Sequence, residues 1–118
     1  MEAIKLFDSE LKIMEILWRG EAVSAKQISV IAANEIGWNK NTTYTVIKKL
    51  IDKSAIKREE PGFICSALIS RDEVQKDETE RLIDKLWGGS KKAFFAAFVD
   101  EHLSAQEIDE IKSLIEMK

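Results

Sequence analysis

Apolar residues recur at helical spacing through residues 8–18, where Leu11, Ile13, Met14, Leu17 and Trp18 form one stripe. The spacing predicts a core-facing helix that Gly20 ends. Glu21, Ala22 and Val23 are too few for more than a bridging strand. Ser24 followed three residues later by Gln27 has the form of a capping box. It opens a second helix through Ile28, Ile31 and Ala32 to Ile36, with Gly37 as its stop signal. Trp38 and Asn39 then connect to a third helix within residues 38–53. Wound at about 100° per residue, this stretch places Thr43, Tyr44, Ile47, Leu50 and Ile51 on one face and Asn41, Thr42, Thr45, Lys48, Lys49 and Lys53 on the other. The period then turns extended: residues 55–59 and 63–68 flank Glu60-Pro61-Gly62, an order that suits a type II turn. Two short helices with a tight join and a hairpin behind the second make a winged helix-turn-helix, with Ala22 and Val23 available to pair with the sheet edge.

Beyond residue 70 the pattern changes. Ser70 and Glu73 form a second capping box, and the helix they open has no apolar residue from 75 to 81, so that stretch cannot lie flat on a core. Leu82, Ile83, Leu86 and Trp87 then give it something to bury before Gly88-Gly89. Residues 93–99 are apolar without interruption and need cover on several sides. Ser104 and Glu107, a third capping box, start a last helix striped by Ile108, Ile111, Leu114 and Ile115. This segment is too short to enclose its own rings. Burying Phe94, Phe95 and Phe98 against a second copy contributes roughly 1.5–3 kcal/mol each. A homodimer is therefore expected, with an interface of Leu82, Leu86, Phe94, Phe95, Phe98, Ile108, Ile111 and Ile115; the alternative is that these helices fold back on their own winged-helix core. The fold class is mainly α with a small β-hairpin: a winged helix over residues 1–70 and a helical dimerisation segment over 71–118.

Length and charge refine this picture. A chain of 118 residues, 45% hydrophobic, is one domain or a small domain with an oligomerisation segment. The N-terminus lacks the features of a signal peptide, and no apolar run reaches membrane-spanning length, so a cytoplasmic protein without membrane association is expected. The single cysteine, Cys65, fits a reducing compartment. The net charge of −3 is uneven. Residues 1–58 carry 10 Lys and Arg against 7 Asp and Glu, whereas residues 59–118 carry 8 against 14. A basic half followed by an acidic half suggests an anion-facing module and a solvated or partner-facing one.

No enzyme is legible. The one histidine, His102, has no nucleophile setting, phosphate loop or metal-ligand spacing around it. Cys65 fits a small buried role. No cofactor or metal is implied. Duplex DNA is the partner best supported: Thr42, Thr45 and Lys49 fall at i, i+3 and i+7 on one line of the third helix, with Asn41 and Lys48 beside it. Hydroxyl and amide groups suit base edges and phosphates, and lysines suit phosphates. Lys26 on the preceding helix and Lys57 and Arg58 on the wing are placed to hold flanking phosphates. Glu59 and Glu60 put negative charge at the wing tip and argue against its deep entry into a groove. They also keep open a reading in which the winged helix binds a protein partner instead of DNA.

The order of elements, with Glu15-Ile-Leu-Trp18, Trp38-Asn-Lys-Asn-Thr-Thr-Tyr-Thr45, Ala67-Leu-Ile-Ser-Arg-Asp-Glu73 and Ala97-Phe-Val-Asp100, resembles the penicillinase-repressor family over nearly the whole chain. That family includes methicillin-resistance and copper-responsive repressors. The resemblance implies a winged-helix dimer on a dyad-symmetric operator that blocks transcription, with Thr42, Thr45 and Lys49 on the recognition helix. It also implies, for the β-lactam branch, an inducing protease that cleaves in the dimerisation segment; the matching bond is Ala97–Phe98. Departures are specific. Ser54 and Phe63 stand where members commonly have glycine and a basic residue, and the C-terminal cysteine cluster of the copper branch is absent from this sequence.

Overall fold

A computed structural model describes residues 4–118. Its elements run α1 (Asp8–Leu17), β1 (Val23–Ser24), α2 (Ala25–Glu35), α3 (Lys40–Asp52), β2 (Ile56–Glu59), β3 (Ile64–Ala67), α4 (Arg71–Trp87), α5 (Lys91–His102) and α6 (Ala105–Glu116). The chain divides into two compact units, residues 1–77 and 78–118, with the division inside α4.

The first unit is built on three helices and a small antiparallel sheet of order β1-β3-β2. Ile13, Met14, Ile28, Ile47, Leu50, Ile56 and Cys65 are fully buried at its centre. Local chemistry sets the boundaries. The Ser24 hydroxyl accepts from the Gln27 amide at 3.1 Å while Gln27 Oε1 accepts from the Ser24 amide at 3.1 Å, so both members of the expected capping box are engaged. Gly37, at φ +80°, lets its N–H and that of Trp38 turn back to the Ala32 carbonyl and end α2. Asn39 caps α3 by accepting from the Thr42 amide at 2.8 Å.

Several local expectations are corrected. The bridging strand is Val23–Ser24, paired with Cys65 and Ile64, one residue later than Ala22 and Val23. Gly20 takes no positive φ; α1 instead ends on Trp18, whose N–H returns to the Met14 carbonyl at 2.8 Å. The hairpin turn is not type II, because the Glu60–Pro61 peptide is cis and both Gly62 and Phe63 take positive φ. Val46 joins the buried face of α3, whereas Tyr44 and Ile51 are half-buried at its margins.

Lys53 is also corrected. Helical winding places it on the outward face, but its ammonium turns back to Glu10 Oε1 at 2.6 Å and the Lys5 carbonyl at 2.9 Å. Glu10 is 1% exposed, and the same oxygen accepts from the Phe7 amide at 2.8 Å, capping α1 from its first turn. A carboxylate this deep requires a cation, and the flexible stem of Lys53 reaches it from the end of α3. The connection leaving the sheet is held by the Trp18 indole, which donates to the Ile69 carbonyl at 3.0 Å, and by the Arg71–Glu15 pair at 2.7 Å.

The second unit differs in kind. Residues 75–82 of α4 contribute no buried side chain, while Ile83 is buried. Neither α5 nor α6 contains a buried residue, although both are capped, by Ser90 and by the Ser104–Glu107 box. Trp87, Phe94 and Phe98 form a chain of rings with centroids 5.0 and 6.0 Å apart. An apolar groove between α5 and α6, about 160 Å³, is lined by Phe95, Val99, Leu103, Ile108, Ile111 and Ile115 with Lys112 at its side.

Candidate nucleic-acid interface

Helix α3 has the two faces that its sequence predicts. Thr43, Val46, Ile47 and Leu50 are buried, which fixes the rotation of the helix about its axis. Asn41, Thr42, Thr45, Lys48 and Lys49 are consequently exposed together. No carboxylate of the described residues pairs with Lys48 or Lys49, nor with Lys26 near the start of α2. Among the described residues, three ammonium groups thus have no carboxylate partner that a phosphate would have to displace. The Thr45 hydroxyl donates to the Asn41 carbonyl at 2.8 Å, so it presents lone pairs and a methyl group outward. That chemistry suits the exocyclic amines of adenine and cytosine and the thymine methyl in a major groove.

The wing differs. Lys57 lies 3.5 Å from Glu59, and the Arg58 guanidinium faces Glu60 through a two-point contact at 3.4 and 3.5 Å. Alternation along β2 places Arg58 on one side and Lys57 and Glu59 on the other, while Glu60, the first residue of the turn, faces Arg58. Arg58 also stacks on the Phe63 ring, its Cζ 3.6 Å from the centroid. Phe63 in turn meets Tyr44 of α3 edge-on at 5.9 Å, and Lys40 lies 5.7 Å over the Tyr44 ring. A cation–aromatic ladder therefore joins the start of α3 to the wing tip. The Arg58 hydrogen bond holds the Glu60 carboxyl below the usual glutamate range, with the Phe63 N–H adding to the effect. Cys65 lies under this face, and burial pushes its thiol up. Such a thiol suits the core role expected of it.

Residues 6–117 match the family described as penicillinase repressor. The chain belongs to the penicillinase repressor family. It is 28% identical over 115 residues to the penicillinase repressor of Staphylococcus aureus, covering 95% of this chain and 91% of that relative. It is 25% identical over 117 residues to the methicillin resistance regulatory protein MecI of Mammaliicoccus sciuri, covering 97% and 95%. The solution structure of the DNA-binding domain of the repressor BlaI matches with a TM-score of 0.56 at 22% identity, over 62% of this chain and 93% of that domain. The winged-helix fold is thereby shown for this family member.

The expected site residues thus fall into three groups: Asn41, Thr42, Thr45, Lys48 and Lys49 share the exposed face of α3, Lys26 is exposed near the start of α2, and Lys57 and Arg58 sit on the wing in carboxylate pairs. Lys40 and the Asn39 cap belong to the same end of α3 and were not singled out by the sequence pattern; an Asn followed by Lys at a helix start was the available signal. His102 ends α5 with its ring 5.3 Å from Phe98. Among the described residues, no group of three or more His, Cys, Asp and Glu side chains could hold a metal ion, and no helix is long and apolar enough to cross a membrane.

Proposed function

We propose that this chain is a homodimeric transcriptional repressor that binds a dyad-symmetric operator in duplex DNA. The observation that carries the reading is the exposed face of α3, where Lys48 and Lys49, without an ion-pair partner among the described residues, follow Thr42 and Thr45 along the helix, opposite the buried Thr43, Val46, Ile47 and Leu50. In this reading residues 1–70 bind DNA and residues 71–118 dimerise. Asn41, Thr42 and Thr45 read base edges, Lys48, Lys49 and Lys26 position the helix on phosphates, and the family's repressors supply the precedent. No catalytic role is assigned to any residue, and the site of action is the cytoplasm.

Dimerisation is supported by what the second unit leaves uncovered. Leu82, Leu86, Phe95, Phe98, Leu114 and Ile115 are exposed large apolar residues, Ile108 and Ile111 are half-buried beside them, and Phe94 is partly covered by Trp87. A unit of roughly forty residues with this exposure is below the size at which a core sustains itself. An inducing protease acting at Ala97–Phe98 would meet a bond inside α5, so cleavage requires that helix to open and the interface that Phe95 and Phe98 form to loosen with it.

Fluorescence anisotropy across about 50–200 mM salt, with a random duplex and with duplexes enriched from a random library, tests the DNA reading. Log affinity should fall linearly with log salt for both, with the enriched duplex bound more tightly. Absence of salt-dependent binding to either would replace this reading with a winged helix that docks on protein.

A further inference from the structure

We propose that Glu60 is a built-in stand-in for phosphate: its carboxylate occupies the Arg58 guanidinium and keeps the wing from adding sequence-independent affinity for the DNA backbone. The inference rests on the DNA-binding reading and concerns how strongly that surface grips any duplex.

Three features carry it. First, Arg58 is held in place independently of Glu60, because its Cζ lies over the Phe63 ring at 3.6 Å from the centroid and Phe63 abuts Tyr44 of the recognition helix. A planar guanidinium so fixed has the geometry for two-point recognition of a phosphate or a carboxylate. Second, Glu60 is held in place independently of Arg58, because its Oε1 accepts from the Phe63 amide at 2.8 Å. The carboxylate therefore sits in front of the guanidinium whether or not their mutual contact is strong. Third, that contact is loose. Its distances of 3.4 and 3.5 Å exceed the usual N–H···O range, whereas the Arg19–Glu35 fork elsewhere on the surface closes to 2.7 and 2.6 Å. Glu60 neutralises Arg58 without clamping it. A backbone phosphate approaching the wing meets a paired cation, while one approaching Lys48 or Lys49 meets an unpaired one.

The consequence is a repressor whose backbone grip is confined to the recognition helix and its neighbours. Phosphate contacts on the wing would strengthen every complex alike, including those with the large excess of non-operator DNA. Glu60 removes that contribution at its source.

Glu60→Gln tests this, since the amide oxygen still accepts from Phe63 while the charge is gone. Binding of the full chain to a random duplex is measured against salt for the wild type, Glu60→Gln, Glu59→Gln, Arg58→Ala and the Arg58→Ala/Glu60→Gln double variant. Glu60→Gln should steepen the log–log slope by about one phosphate contact, which is roughly a threefold to fourfold larger loss of affinity between about 50 and 200 mM salt. It should also bind several-fold more tightly at the low end. The gain should vanish when Arg58→Ala and the double variant are compared, and should exceed that of Glu59→Gln. An unchanged slope in Glu60→Gln, an equal gain from Glu59→Gln, or a gain that persists without Arg58 would each overturn the proposal while leaving the DNA reading intact. A wild type with no salt-dependent binding would instead remove the DNA reading on which the proposal rests.

Discussion

Ile13, Ile28, Ile47, Leu50 and Cys65 in the winged-helix unit are fully enclosed, whereas α5 and α6 of the second unit bury nothing and leave Phe95, Phe98, Leu114 and Ile115 at 41–61% exposure. The first unit satisfies its apolar surface within one chain, so its stability is a property of that chain alone. The second leaves its apolar surface uncovered within the chain, so under the proposed dimerisation its stability would depend on protein concentration. The division matches the proposed division of function. The proposed reading surface has a rigid backbone behind it, supplied by the core under α3, and a segment proposed to come apart on induction is one that its own chain holds weakly.

The largest effect should come from the enclosed side. Ile47→Ala removes three side-chain carbons beneath α3 and should cost the first unit about 2–5 kcal/mol, read by denaturation followed through Trp18 and Trp38 fluorescence. A loss under about 1 kcal/mol would mean that the core is not packed as described. Phe95→Asp should act on the other side of the comparison. Two rings per dimer, taken at the lower end of the burial range, amount to about 3 kcal/mol, which weakens association by roughly two orders of magnitude and should shift the sedimenting species toward monomer. The winged-helix unit should keep its fluorescence-detected transition. A dimer that survives would move the interface away from α5.

A smaller effect is expected at the ion pair between α1 and α3. Lys53→Met leaves Glu10 buried without its cation, at a cost of about 1–3 kcal/mol, and Glu10→Gln in the same chain should restore part of it. If the double variant is as unstable as Lys53→Met alone, the pair is not coupled. The smallest is the acid response of α6. The Ser104 backbone N–H, followed by its hydroxyl, holds the Glu107 carboxyl below the usual range. A folded value below the unfolded one means that the contribution is complete above about pH 4.3 and is lost as pH falls through the folded value. Helicity should therefore decline in acid, and decline less in Glu107→Gln; identical acid curves by circular dichroism would exclude the cap as a cause.

Much of this was legible in the sequence, and for physical reasons that also explain the rest. The order of helices and strands followed from periodicity and from Ser24, Ser70 and Ser104, because a capping box is a local contact that needs no tertiary information. The outward face of α3 followed from the same winding. Lys53 did not, because helical phase gives the direction of a Cβ and says nothing of where a four-carbon stem ends once a buried carboxylate attracts it. Glu10 was illegible for the matching reason: its burial depends on Phe7 and Lys53 arriving from either side. Glu59 and Glu60 were visible as charge at the wing tip, yet their pairing with Lys57 and Arg58, and the Phe63 ring under Arg58, emerged only with the cis Glu60–Pro61 turn.

The salt dependence of Lys49→Ala tests most directly the proposal that the exposed face of α3 grips and reads duplex DNA. Removing one phosphate contact should lower the magnitude of the log–log slope by about 1 and weaken operator and random duplexes by similar factors. Thr45→Ala, measured beside it, should leave the slope alone and alter preference among sequences. An unchanged slope in Lys49→Ala, with Thr45→Ala equally silent on sequence preference, would contradict the assignment of α3 as the reading helix.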